Sequence, residues 1–251
     1  MALTLTTFSP FSPLFTRAKR ERKATTIHAS ATSASTEKVE IRVCVNRTCA
    51  RQGSRETLLT LSGLAPPGLS VTSCGCLGRC GAGPNVVVLP KGELVGPCGT
   101  PARAAEVLAW VCGPNFDPGT NLEALGLRKR AEVALEKGNA AEAVALLSQA
   151  IELNPSGGLH VLYLTRSSAK LAMGDNAGAL LDAKEACNVD SKFPQGYISQ
   201  GDAFLAMEEY NSAEEAYATA LDLDPSIRRS RSFKARVTKL QEKLLAANAS
   251  S

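Results

Sequence analysis

The 251-residue sequence predicts an α+β chain in two bodies, a small α/β sandwich followed by an all-α repeat. Three observations predict it. Short β-branched runs bounded by Gly, Pro and Asn occupy the stretch from Lys38 to Gly96. Beyond Asn121 such runs disappear, and small residues recur at spacings of 36 and 34. The charge also changes sign between the two regions. Residues 37–117 carry eight basic and six acidic residues, residues 118–227 eight and sixteen, and residues 228–251 seven and one. The net +4 of the whole chain hides these contrasts. With 44% apolar residues the chain has enough for real cores, yet no apolar run approaches the roughly 20 residues of a membrane helix.

Residues 1–36 stand apart. They contain thirteen Ser or Thr, a single acid (Glu21), and the cations Arg17, Lys19, Arg20, Arg22 and Lys23. Without a continuous apolar core this is no secretory signal; Ser/Thr-rich, basic and acid-poor is the composition of an organelle transit peptide. The opening Met1-Ala2 and the stretch Ile27-His28-Ala29-Ser30 resemble a chloroplast transit peptide cleaved after Ala29. A generic disordered tail is the plainer alternative. The expected location is the chloroplast, in the stroma or associated with thylakoids. The expected boundaries are 1–29 transit peptide, 30–37 disordered, 38–113 first body, 114–123 linker, 124–227 repeats, 228–247 capping helix and 248–251 tail.

In the first body KVEIRVCV reads as a strand. SRETLLTLSGL (54–64) reads as a helix with Ser54 as its N-cap, and GLSVTSC, NVVVLP and GELVG as three more strands. TPARAAEVLAWVCG then reads as a helix capped by Thr100, with Pro101 in its first turn, a buried face of Ala105, Val107, Leu108 and Val111, and Gly113 as its stop. The stretch from Gly113 to Asn121 is rich in turn formers and makes the joint.

Eight cysteines occur, seven of them between Cys44 and Cys112. Without an export signal, clustered thiols point to metal binding or redox cycling rather than to a disulfide framework. Two close pairs stand out: Cys44 with Cys49, and Cys76 with Cys80, separated by 26 residues, room for a helix and a returning strand. Gly78 and Gly81 permit the tight backbone that thiolate ligation requires, and exposed amide N–H groups can bond to sulfur. The ordered set C-x4-C, helix, C-x3-C, GxGPNVVV, and a helix opening Thr100-Pro101 resembles the thioredoxin-like [2Fe-2S] ferredoxin family over residues 38–113. That family includes the small cluster subunit of respiratory complex I. The resemblance implies that Cys44, Cys49, Cys76 and Cys80 hold a [2Fe-2S] cluster that passes one electron at a time. A four-cysteine zinc site is the main alternative. A thioredoxin-type dithiol lacks its C-x-x-C, and loss of the metal site would require lost ligands that are all present. His28 and His160 are poor ligand candidates. Cys74 is open between an alternative ligand, a disulfide partner of Cys98 and a small bystander; Cys98, Cys112 and Cys187 read as packing residues.

In the second body, Ala143, Ala179 and Ala213 align, and Ala150, Ala186 and Ala220 recur seven residues later. The pattern resembles tetratricopeptide repeats, with units beginning near Ala124, His160 and Pro194. The third matches best, through Tyr197, Gly201, Phe204, Ala213, Tyr217, Ala220 and Pro225. The tail places Phe233, Val237, Leu240 and Leu244 on one stripe with a basic back, which reads as a capping helix rather than a nucleic-acid or membrane surface. The expected fold is therefore a thioredoxin-like ferredoxin sandwich followed by a tetratricopeptide-repeat solenoid.

Such a solenoid implies a groove for a peptide or helix of a partner protein. The family's Hsp70/Hsp90 carboxylate clamp is not expected here, because its positions carry Arg128, Glu132, Thr165, Gln195 and Ser199, and the acid at Glu132 would repel a carboxylate. The −8 of this region favours neutral or basic partner segments. No nucleotide loop, nucleophile elbow or His/carboxylate pair suggests an enzyme. The functional expectation is a chloroplast [2Fe-2S] redox protein whose repeats dock it as an auxiliary assembly factor on a photosynthetic thylakoid complex. The alternatives are a one-electron carrier feeding a reductase or dehydrogenase-like complex, and a zinc-stabilised structural adaptor.

Overall fold

The computed structural model describes residues 38–249. The expected transit peptide (1–29) and disordered segment (30–37) therefore lie outside the described residues, as do the final two residues of the tail. Four strands, β1 (Glu40–Cys44), β2 (Ser70–Cys74), β3 (Val86–Leu89) and β4 (Glu93–Val95), form one sheet in the order β2-β1-β3-β4. β1 runs parallel to β2 and antiparallel to β3, which pairs antiparallel with β4. Side chains alternate along a strand. Ile41 and Val43 thus face the core with Val86, Val88, Leu61 and Leu108. Glu40 and Arg42 lie on the opposite face, where Thr72 Oγ1 donates to Glu40 at 2.8 Å.

Three helices complete this body: α1 (Arg47–Arg51), α2 (Ser54–Leu64) and α3 (Pro101–Cys112). Thr100 caps α3 as expected, its hydroxyl accepting from the Arg103 N–H at 3.2 Å. Ala105, Val107 and Leu108 are buried, joined by Ala104, whereas Val111 is only partly so. The N-cap of α2 differs from expectation. Gly53, at φ +90°, holds that position because α1 must turn sharply into α2 through a left-handed residue. Ser54 is pushed inside the helix, buried with no hydrogen bond to its hydroxyl. The helix α1 itself was not anticipated; Asn46 starts it by accepting from the Arg47 N–H at 2.6 Å.

An all-helical solenoid follows. Its helices are α4 (Pro118–Glu136), α5 (Ala140–Glu152), α6 (Leu159–Ala172), α7 (Asn176–Val189), α8 (Pro194–Ala206) and α9 (Tyr210–Leu223). Sequence-adjacent helices pack against each other throughout. Ala143, Ala150, Ala179, Ala186, Ala213 and Ala220 are each fully buried, where only a methyl group lets paired helices approach. The helix α4 begins within the stretch read as a linker, with Asp117 as its N-cap. Finally α10 (Arg231–Ala249) lays Phe233 and Leu240 into the core beside Tyr217, with Val237 and Leu244 partly covered. Among the described residues no helix is long and apolar enough to cross a membrane.

Candidate functional site

Each predicted cysteine ligand sits where an element ends. Cys44 is the last residue of β1, and Cys49 lies on α1 just beyond it. Cys76 follows β2, and Cys80 opens a short 3-10 turn before β3. The fold gathers them as two pairs. Cys44 and Cys49 are buried, and each thiol influences the other's ionisation. Cys76 and Cys80 are exposed, their sulfurs 3.5 Å apart. The pairs also sense each other: the Cys80 thiol is raised chiefly by Cys76 and further by Cys49 and Cys44. Burial pushes the Cys44 thiol up, but N–H groups of Asn46 and Leu77 outweigh it and hold the thiol below its ordinary value. Burial raises Cys49. The Gly78 N–H points at Cys76 Sγ from 3.4 Å.

Asn85, fully buried, ties this arrangement together and was missed in the sequence. Its Nδ2 donates to the Arg79 carbonyl at 2.7 Å and approaches Cys49 Sγ at 3.7 Å, while its main-chain carbonyl accepts from the Cys44 N–H at 3.0 Å. A polar residue between a cysteine loop and a valine run was the available signal. Gly83 is equally constrained, since a Cβ there would meet Cys49 Sγ at 2.8 Å.

Among the described residues no three ligand-type side chains converge closely enough to hold a metal ion, so the four thiols stand as two pairs. Two thiolates on one tetrahedral centre, with metal–sulfur bonds of about 2.3 Å, lie about 3.8 Å apart. The 3.5 Å of Cys76 and Cys80 is close to that separation.

The remaining cysteines fall into two kinds. Cys74 lies in register with Cys44 across the parallel pair. Cys98 is buried in the sandwich core, and burial pushes its thiol up to about 11. Its electrostatic neighbours are Arg103 and Glu106 rather than other thiols. Cys112 packs on the same core, and Cys187 is buried among the repeats with Gln200 Nε2 at 3.1 Å.

On the repeats, the Arg128 side chain is 11% exposed; its Nε lies 3.4 Å from Glu132, and its guanidinium abuts Gly63 of α2. Thr165 donates to the Val161 carbonyl at 2.8 Å. Ser199 is buried against Ser167 at 2.7 Å, and Gln195 is exposed. Behind them Asp182, only 3% exposed, accepts from Arg166 at 2.7 and 2.9 Å and pairs with Lys170 at 2.9 Å.

A family model described as "Tetratricopeptide repeat" matches residues 129–156 and 194–227. These helices are tetratricopeptide repeats. Among curated proteins, the chain is 37% identical over 84 residues to Protein STIP1 homolog of Dictyostelium discoideum, covering 34% of this chain and 14% of that one. It is 38% identical over 103 residues to the Hsp70-Hsp90 organizing protein of Triticum aestivum, covering 38% and 17%. It is 34% identical over 98 residues to Heat shock protein STI1 of Saccharomyces cerevisiae, covering 36% and 16%. The matches thus span about a sixth of these relatives' length. Among solved structures, the first tetratricopeptide domain of human RPAP3 superposes with a TM-score of 0.47 at 22% identity, covering 51% of this chain and 98% of that one. The Sgt2 domain of Aspergillus fumigatus gives 0.46 at 25% identity, covering 51% and 82%.

These relatives correct two expectations. One is named as an Hsp70-Hsp90 organizing protein and another as a heat shock protein, which overturns, as this chain's role, a chloroplast [2Fe-2S] redox factor for a photosynthetic thylakoid complex, together with the electron-carrier and zinc-adaptor roles. They also overturn the expectation that the repeats do not use the Hsp70/Hsp90 clamp. That expectation rested on formal charge at five positions, whereas a groove recognises a peptide through its whole inner face. The three curated relatives are named as a STIP1 homolog, an Hsp70-Hsp90 organizing protein and a heat shock protein, none of them as an enzyme.

Proposed function

We propose that this chain is a docking adaptor for the C-terminal tails of Hsp70-type or Hsp90-type chaperones, the repeats taking the tail and the N-terminal body travelling with them. The similarity to the Hsp70-Hsp90 organizing protein of Triticum aestivum and to Heat shock protein STI1 of Saccharomyces cerevisiae carries this reading. Arg128 supplies the cation for an incoming carboxylate, and Gln195 supplies amide hydrogen bonds from the third pair. Glu132 occupies Arg128 until a peptide carboxylate replaces it.

The test is fluorescence polarisation of a labelled SRMEEVD peptide, the HSP90 peptide seen bound to the first tetratricopeptide domain of Spaghetti (RPAP3), titrated with residues 37–251. Saturable binding that is lost when the peptide carboxylate is amidated supports the proposal; equal binding of both peptides, or none, overturns it. Glu132→Gln should tighten binding, and Arg128→Ala should weaken it about tenfold or more, as expected for loss of a charged hydrogen-bond partner.

For the N-terminal body we propose a thioredoxin-like ferredoxin architecture over residues 38–113, in which Cys44, Cys49, Cys76 and Cys80 hold a [2Fe-2S] cluster, with zinc as the alternative. The pairing of the four thiols, the Gly78 N–H at Cys76 and the Asn85 brace support this assignment. Anaerobic purification with iron and sulfide analysis tests it: a coloured protein bleached by Cys76→Ser is expected, and a colourless zinc protein would overturn it. The chloroplast location belongs to the same proposal and rests on the composition of residues 1–29. A fluorescent protein fused behind residues 1–36 should enter plastids.

A further inference from the structure

The N-terminal body gathers five thiols where four suffice for the proposed site. Cys74 and Cys44 are the last residues of the adjacent parallel strands β2 and β1, and the register sets them opposite each other. The Val45 N–H donates to the Cys74 carbonyl at 3.1 Å, so the alignment persists to the strand ends. Neighbouring strands lie about 4.8 Å apart, inside the roughly 4.4–6.8 Å that separates the Cα atoms of a disulfide. Side-chain direction agrees as well. Alternation puts Cys44 on the face of Glu40 and Arg42, and the Thr72–Glu40 hydrogen bond puts Thr72, hence Cys74, on that same face. Both strands give way to loops immediately after these residues, so the backbone there can draw the two Cβ atoms together.

We propose that Cys44 and Cys74 form a disulfide when the four-cysteine site holds no metal, making Cys74 an oxidation site of this fold. Cys74 is the more accessible thiol of the two and reacts first. Its thiolate attacks a low-molecular-weight disulfide such as oxidised glutathione, forming a mixed disulfide and releasing one glutathione thiolate. The Cys44 thiolate then attacks the Cys74 sulfur, and the second glutathione leaves. The two protein thiols are oxidised, one glutathione disulfide is reduced, and both thiol protons pass to solvent or to the leaving thiolates. Cys76 and Cys80 can oxidise with each other independently, which leaves Cys49 as the remaining thiol of the five. A sulfur tied up in this way is no longer a thiolate ligand, so oxidation withdraws Cys44 from metal binding. The inference is independent of chaperone docking, and the disulfide itself requires no metal.

Trypsin separates the relevant thiols. Cys44 falls in residues 43–47, Cys49 in 48–51, Cys74 with Cys76 in 56–79, and Cys80 in 80–91. The full chain is treated with chelator, equilibrated with oxidised glutathione, alkylated, digested and mapped by mass spectrometry without reduction. The expected product joins 43–47 to 56–79; it persists in Cys76→Ser and vanishes in Cys74→Ser. Cys74→Ser should retain the circular dichroism and melting temperature of the parent, since this thiol is only half-buried at a strand end. The proposal is overturned if 43–47 stays alkylated while Cys76 and Cys80 oxidise, if it joins only to 48–51, or if the joined product survives Cys74→Ser.

Discussion

At the scale of single residues, Asp182 and His160 have the sharpest consequences. The Asp182 carboxylate is buried between Arg166 and Lys170. Removing it leaves two partly buried cations without their partner, which costs far more than loss of an exposed pair. Asp182→Ala should lower stability by about 3–5 kcal/mol in urea titration; a change below about 1 kcal/mol would place the pair among weak surface bridges. His160 is buried edge-on against Phe193, and its Nδ1 has no hydrogen-bond partner. Burial pulls its pKa below the ordinary 6.5, Asp190 opposes that, and Arg128 adds to it. The folded chain therefore declines a proton that the unfolded chain accepts. This contribution to stability is intact above the unfolded value and is lost progressively as pH falls below about 6.5. Melting temperature should drop between pH 7.5 and 5.5 with a shallower slope in His160→Asn; an unchanged slope would exclude His160 as the source.

At the scale of elements, the last helix pair is held by one aromatic residue. Tyr217 on α9 packs on Gly201 of α8, where an added Cβ would strike its ring. Its hydroxyl donates to Asp202 at 2.7 Å, and Arg236 of α10 holds the same carboxylate at 2.8 Å. Phe233 of α10 then meets the Tyr217 ring edge-on at 5.7 Å. Gly201→Ala should cost about 1–3 kcal/mol through overpacking. Phe233→Ala should cost about 3–5 kcal/mol and loosen α10 first, visible as faster amide exchange there. Uniform exchange along α8, α9 and α10 would show instead that the three unfold together.

At the scale of the molecule, the N-terminal body and the repeats interlock. The described residues, 38–249, form one compact unit. A Cβ on Gly157 would collide with the Leu64 carbonyl, and the Gly158 N–H donates to the Ala65 carbonyl at 3.1 Å. Asn121, buried in the first turns of α4, donates to Ser156 at 3.0 Å and accepts from the Gly157 N–H at 2.8 Å. Calorimetry of the full chain should therefore show one transition. Asn121→Ala should lower it by about 1–3 kcal/mol, because a buried amide network is left unsatisfied. Two transitions, with only one affected, would mean that the bodies unfold independently.

Much of this was legible in the sequence, because local chemistry leaves local marks. The β-branched runs became strands, Thr100 with Pro101 became a helix start, and the alanines near a 34-residue spacing became buried contacts. These features depend on neighbours within a turn or a repeat, and the chain itself supplies those neighbours. Tertiary structure decided the rest. Asn85 became a brace because a loop and a strand end met around it, and Ser54 lost its cap to a left-handed glycine required by an adjoining helix. Arg128 was drawn against α2, and Gly157 and Gly158 became a seam between two bodies. The sequence by itself determined that there are two bodies, which helices repeat and which cysteines come in pairs. Only the fold set Cys74 beside Cys44 and seated one body on the other, because strand register and long-range packing are fixed by contacts between segments that carry no mark of each other.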